Sequence, residues 1–220
     1  MNSENPFLTY AVTLYFDDET SGEIRDLTKG LCDVTGNDYM IQNNVPPHFT
    51  LGMFHVEEAD NEKLKRIFSD FVNKARENLF NESAFEISFG GFEAFLDKVI
   101  FIKLEKDDKL SALNVLLHEL FLPHFEAGDN RNYLPENWYP HITLGFKLSH
   151  EQFEKGMEFL KGRPASPDAQ GIGGAPQALQ SNEARLARNA AKPGLPKGRC
   201  ARIGLACCNP YTPVCEFYID

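Results

Sequence analysis

The chain has no apolar run close to the ~20 residues that a membrane-spanning helix needs, so no span is expected. Its first residues, Met1-Asn2-Ser3-Glu4-Asn5-Pro6, carry no basic cluster. The apolar stretch after them alternates with polar residues, so it reads as a strand and not as a secretory leader. Basic charge is in deficit: 22 Lys and Arg stand against 32 Asp and Glu, a formal net charge of −10. A protein that coats a long polyphosphate backbone carries the opposite sign. That excludes bulk nucleic-acid coating but leaves room for a short or terminal nucleotide in a locally neutral cleft. Cysteine is sparse and odd in number, five in all, with Cys207 and Cys208 adjacent. This argues for a reduced, cytoplasmic protein without a disulfide framework. The spacing of Cys200, Cys207, Cys208 and Cys215 is not that of a zinc ribbon, and these residues read as packed strand cysteines. His118-Glu119 is followed by its next histidine only at His124, so the His-Glu-x-x-His zinc helix is missing. No glycine-rich phosphate loop follows a predicted strand; Gly171-x-Gly-Gly stands in an Ala/Pro-rich stretch. No metal and no cofactor are expected.

What the sequence does contain is a repeat. Pro47-His48-Phe49-Thr50-Leu51-Gly52 and Pro140-His141-Ile142-Thr143-Leu144-Gly145 share five of six residues, 93 positions apart. Apolar and polar residues alternate in both, the pattern of a half-buried strand. Strict alternation places Phe49, Leu51 and Met53 inward and His48, Thr50 and Gly52 outward. The second copy places Ile142, Leu144 and Phe146 inward and His141, Thr143 and Gly145 outward. Each glycine then leaves space for a ligand beside its His and Thr. On the same rule His55 points away from His48.

The flanking sequence supplies the rest of an α+β domain. Residues 7–16 alternate as a first strand. Thr20-x-x-Glu23 has capping-box spacing, and Ile24, Leu27 and Leu31 predict a helix over 21–32. Leu64, Ile67, Phe68, Phe71 and Val72 form a helical stripe. Two antiparallel strands are expected before and after Gly90-Gly91, over residues 85–89 and 99–104. Leu110, Leu113, Leu117, Leu120 and Phe121 make another stripe, ended by Pro123. Ser149-x-x-Gln152 caps a helix with Phe153, Met157 and Leu160. Each repeat is thus a strand followed by an amphipathic helix, an internal duplication. Residues 163–198 break the pattern with eight Ala, five Pro, five Gly, no aromatic residue and a charge of +3. Such a segment buries too little to offset its ordering entropy and reads as a flexible insertion. Strand-like runs at 203–208 and 214–219 read as a closing hairpin around Asn209-Pro210. The domain is therefore expected to be 1–162 plus 199–220.

A neutral imidazole takes a proton near pH 7 and an imidazolium gives one. Two of them on opposite sides of a phosphorus centre form an acid–base pair, one activating the attacking oxygen and the other protonating the leaving oxygen. A threonine hydroxyl two residues along the same strand can donate to a non-bridging phosphate oxygen. His48 and His141 are the candidate catalytic pair, with Thr50 and Thr143 as phosphate ligands. Tyr139, Trp138 and Tyr211 are candidates for stacking a nucleobase, and Tyr133 is a further loop aromatic that could rim the cleft. The alternative for the repeat is a duplicated structural element whose histidines only pack or bind.

On these two His-x-Thr motifs the chain resembles the 2H phosphoesterase superfamily, which includes the LigT-like 2′-5′ RNA ligases and the cyclic phosphodiesterases. The resemblance implies two similar α/β lobes with antiparallel sheets facing across a central groove. It implies a metal-independent phosphoesterase acting on 2′,3′-cyclic phosphate or 2′-5′ phosphodiester bonds. The implied partner is an RNA terminus or a small cyclic or 2′-5′ nucleotide, with no membrane, and a monomer is expected. Two readings of other classes stand beside it. One is a non-catalytic module that binds nucleotide ends in the same groove. The other is an interaction protein that works through its basic 163–198 arm.

Overall fold

Among the described residues each long helix carries one apolar stripe, and the sheet that receives the stripe decides the architecture. The computed structural model describes residues 7–80, 85–161, 197–208 and 211–219. The first half runs β1 (Phe7–Phe16), α1 (Asp18–Thr35), the short α2 (Tyr39–Gln42), β2 (His48–Glu57), α3 (Asn61–Asn78) and β3 (Phe85–Phe95). The second runs β4 (Val99–Leu104), α4 (Asp108–Phe121), the short β5 (Glu126–Ala127), β6 (His141–Gly145), α5 (His150–Lys161) and β7 (Lys197–Cys208), and β8 (Tyr211–Tyr218) follows. Apart from the short α2 and β5, both halves read strand–helix–motif strand–helix–strand. The duplication therefore covers more than the motif strand and the helix after it.

The strands pair antiparallel in the order β5-β2-β1-β7-β3-β4-β6, with β8 on β7. From β2 to β6 this order is a palindrome of the two halves. The expected antiparallel halves are present, and β7 joins them into one sheet, pairing with β1 along one edge and with β3 and β8 along the other. The path almost closes on itself, since β2 and β6 come into contact with no ladder between them. The helices cross over between halves. α1, from the first half, packs on β6 and α5; α4, from the second half, packs on β2 and α3. Ile24, Leu27 and Leu31 of α1 and Leu110, Leu113, Leu117 and Phe121 of α4 are all buried. Burying each such side chain contributes about 1.5–3 kcal/mol, so the exchange ties the two halves into one core.

Local details depart from strict sequence rules where backbone geometry intervenes. α1 begins earlier than its capping box suggests, because Asp17 is the cap and its carboxylate accepts from Thr20 N at 2.8 Å. Ser149 and Gln152 do form a reciprocal box, at 2.9 and 3.3 Å. Gly90-Gly91 does not end a strand. β3 runs through it with a register shift, Gly91 takes φ 151°, and the turn falls later, at Leu96 and Asp97 in the left-handed region. β7 begins at Lys197, so the closing part of the domain starts before residue 199. The segment expected to be a flexible insertion, up to that strand, and the Asn209-Pro210 turn lie outside the described residues. All five cysteines are free thiols, and Cys200 of β7 is fully buried. Among the described residues no helix is long and apolar enough to cross a membrane.

Candidate active site

The two motifs form β2 and β6, and each strand carries a β-bulge at the same place. On β2, Thr50 pairs with Thr13 and Gly52 with Val12, so Leu51 is the extra residue. On β6, Thr143 pairs with Phe101 and Gly145 with Ile100, so Leu144 is extra. A bulge puts two residues opposite one and changes the facing of everything beyond it. His48, Thr50, His141 and Thr143 precede the bulges, and all four are half-buried.

Beyond the bulges the expected facing is corrected. Phe54 and Val56 are the buried residues of β2, Met53 is only half-buried, and Phe146 beyond β6 is exposed. His55 lies on the face that carries His48, bonded to Thr9 at 3.2 Å. The glycines leave no space for a ligand, because they turn toward the helices. A Cβ on Gly52 would stand 2.8 Å from Leu117 Cδ2, and one on Gly145 2.8 Å from Leu31 Cδ2. The Leu-Gly pair of each repeat is thus a packing device, a bulge followed by a close helix contact.

The two histidines are held alike. His48 Nδ1 lies 2.7 Å from the Pro46 carbonyl, and His141 Nδ1 lies 2.8 Å from the Tyr139 carbonyl, in both cases two residues back. A carbonyl only accepts, so Nδ1 carries the hydrogen in each ring and Nε2 is left free. Burial pushes both imidazoles below the ordinary histidine value. The carbonyl bonds oppose that shift in both, and charge on His141 adds to it at His48. Both rings are therefore neutral at pH 7, with a lone pair on Nε2.

Their neighbours differ. His48 stands between Tyr15 and Tyr211, each ring centroid 6.1 Å away, and the hydroxyls of those tyrosines bond to each other. His141 stands against Phe95 at 5.1 Å and Phe101 at 5.0 Å, and the Asp129 carboxylate favours its protonated form. A cavity of about 510 Å³ opens here, lined by His141, Thr143, Tyr133, Trp138 and Tyr139, with Asp129 also in its wall. Asp129, Asn130 and Arg131 all take positive φ, three left-handed residues in a row that turn the chain at this wall.

His48, Thr50 and Tyr211 do not line that cavity. Thr50 reaches it through Tyr133, whose hydroxyl faces the Thr50 side chain and is pushed up to about 12 by burial. Of the three stacking candidates, Tyr139 is exposed in the cavity wall, its hydroxyl donating to Glu93 at 2.5 Å. Tyr211 sits against His48. Trp138 is corrected to a core residue. It lines the cavity but is 4% exposed and packed in the core, and its Nε1 donates to the Thr50 carbonyl at 3.0 Å. That bond and the one from Asn114 Nδ2 to the Leu51 carbonyl, 2.7 Å, satisfy groups at the β2 bulge. His118 is buried, with Nδ1 on the Asn114 carbonyl at 2.8 Å, a structural histidine.

Tyr133, in the same connection as Trp138 and Tyr139 and one of the aromatics the sequence places near the cleft rim, does line the cavity. Sequence reasoning missed Tyr15, Asp129, Phe95 and Phe101. Tyr15 had a signal, since it shares one face of β1 with Thr9 and Thr13. Asp129 comes from a polar connection that has no period. Among the described residues no group of three or more His, Cys, Asp or Glu is arranged to hold a metal ion.

A duplicated α+β sheet with one histidine on each of two adjoining motif strands defines a class, the two-histidine phosphoesterases. A family model described as the 2′-5′ RNA ligase superfamily matches residues 16–170. The chain belongs to that superfamily, and with it comes a phosphoesterase-type function. Among solved structures it is similar to E. coli LigT complexed with 3′-AMP, at 13% identity over 96% of this chain and 98% of that one, TM-score 0.50. It is also similar to E. coli LigT complexed with phosphate, at 13% identity over 97% and 98%, TM-score 0.48. Usb1 of Kluyveromyces marxianus with uridine monophosphate matches at 10% identity over 96% and 97%, TM-score 0.45. No curated protein matches the chain in sequence.

Proposed function

We propose that the protein is a metal-independent phosphoesterase that cleaves 2′,3′-cyclic phosphate or 2′-5′ phosphodiester bonds of RNA ends or nucleotides. The observation that carries this reading is the twin restraint on His48 and His141. Each ring is pinned by the same backbone bond through Nδ1, and each keeps Nε2 free. Identical tautomers on two adjoining strands suit one reaction that needs a base and an acid. In hydrolysis of the cyclic ester, one Nε2 takes a proton from water as the water oxygen bonds to phosphorus. The phosphorus bond to the 2′ or 3′ oxygen breaks, and that oxygen receives the proton carried by the other Nε2. The product is a phosphate monoester with one free hydroxyl. The phosphate's negative charge opposes the effect of burial and holds the proton that one imidazole must donate. Thr50 and Thr143 donate to the non-bridging oxygens. With the hydroxyl of a second chain in place of water as the nucleophile on the cyclic ester, the same two groups perform ligation: the 3′ oxygen leaves with the donated proton and a 2′-linked diester remains. The 3′-AMP held by LigT is a ligand of the expected kind for such a site.

The test is turnover of 2′,3′-cyclic nucleotides, 2′-5′ oligoadenylate and RNA ends bearing a cyclic phosphate, with EDTA present. Turnover that survives EDTA and fails in both His48→Ala and His141→Ala supports the reading. Undiminished turnover in either variant sinks the paired-histidine assignment. Tight binding with no turnover across a range of pH points to a binding module instead.

A further inference from the structure

A second cavity opens beside the first, and no step of the proposed reaction uses it. It lies between α1 and residues 40–47, encloses about 580 Å³ and shares Thr143 with the first cavity. Pro46, whose carbonyl holds His48, also lines it. The cavity therefore starts where the reacting phosphate would sit and leads away from the first. Its size is that of a small-ligand site, roughly 300–1,000 Å³.

Its two walls differ in chemistry. Met40, Ile41 and Val45 make one side apolar, and Ile41 is 45% exposed. The α1 side presents Arg25 and Lys29, both exposed, four residues apart on one face of the helix. Residues at that spacing have Cβ atoms ~5–6 Å apart, close enough for both cations to contact one phosphate. Neither cation has an ion-pair partner among the described residues. Asp26 lies in the same wall, so basic charge exceeds acidic there by one. A chain of net charge −10 that sets two unpaired cations in one cavity invites an anion. An apolar wall opposite a cationic wall suits a nucleotide, with base or ribose on one and phosphate on the other.

We propose that this cavity binds the neighbouring nucleotide of an oligonucleotide, with its phosphate on Arg25 and Lys29. The preferred substrate is then an RNA end of two or more nucleotides and not a free cyclic mononucleotide. The identity of the reacting bond rests on the phosphoesterase reading above; the binding contrast does not.

The experiment measures binding by the full chain of two probes that are not turned over. One is a fluorescein-labelled tetraribonucleotide ending in a 3′-phosphate, and the other is adenosine 3′-monophosphate as its competitor. Arg25→Ala/Lys29→Ala is compared with the wild type and with Lys65→Ala, a cation on α3. The double variant is expected to weaken the tetranucleotide about tenfold more than the mononucleotide and to flatten its salt dependence, and Lys65→Ala to do neither. Equal weakening of both probes, no weakening, or no tetranucleotide binding by the wild type overturns the proposal. Failure of the phosphoesterase reading would look different. The binding contrast would stand, and the wild type would turn over none of the cyclic or 2′-5′ substrates.

Discussion

The surroundings of His48 and His141 are the instructive comparison in this molecule. Their strands are near copies, their Nδ1 atoms make the same bond, and their bulges fall at the same residue. Around them the copies diverge. His48 is walled by the bonded pair Tyr15 and Tyr211, whereas His141 has apolar rings, an open cavity and Asp129. The palindromic strand order makes Tyr15 of β1 the counterpart of Lys103 of β4, since they pair with His48 and His141. The difference teaches that the chemistry common to both sides is held by backbone atoms, which a duplication preserves. Side chains around the rings are free to make the two sides unequal, as the proposed division into one base and one acid requires.

The largest expected effect tests the shared chemistry. His48→Ala and His141→Ala should each lower kcat by ~10²–10⁴-fold, the scale of a lost general acid or base. A strong loss in one and none in the other would break the pairing. The bulge symmetry comes next. Gly52→Ala and Gly145→Ala each force a methyl against a helix leucine and should each cost about 1–3 kcal/mol in denaturant unfolding. Full stability with lost activity would return the glycines to the ligand face. Trp138→Phe should cost about 1–3 kcal/mol, because it empties space in the core and strips the Thr50 carbonyl of its donor. Turnover unchanged at equal stability would show that this clamp does not position Thr50.

The smallest effect is the pH dependence of stability. Both histidines titrate below their unfolded value in the folded chain. Between the two values the unfolded state binds more protons, so their contribution is fully present above about pH 6.5 and is lost as pH falls through the folded values. Denaturant midpoints at pH 7.5 and 5.5 should separate more in the wild type than in His48→Asn/His141→Asn. Equal separation would mean that burial does not act on these rings.

The legible parts of the fold were those with a local period. Alternation exposed β1, β2 and β6, and helical stripes exposed α1, α3, α4 and α5. The paired His-x-Thr motifs stood out because both copies lie in one chain. The bulges were not legible, since one extra residue at Leu51 or Leu144 leaves no mark on composition while reversing the facing of His55, Met53 and Phe146. Trp138 was misread because an aromatic residue beside a motif looks the same whether its ring faces a ligand or the core. Asp129 sits in a polar connection where Gly128 and Asn130 announce a turn but nothing local says that the turn builds a wall beside His141.

By itself, the sequence determined the strands and helices, the duplication and the two histidines, because each depends on residues close together in the chain. Tertiary structure decided which sheet each helix covers, how β7 joins the halves and what surrounds each imidazole. Those outcomes depend on contacts between residues tens to hundreds of positions apart. An apolar stripe specifies that a helix must be buried, but not against which strand.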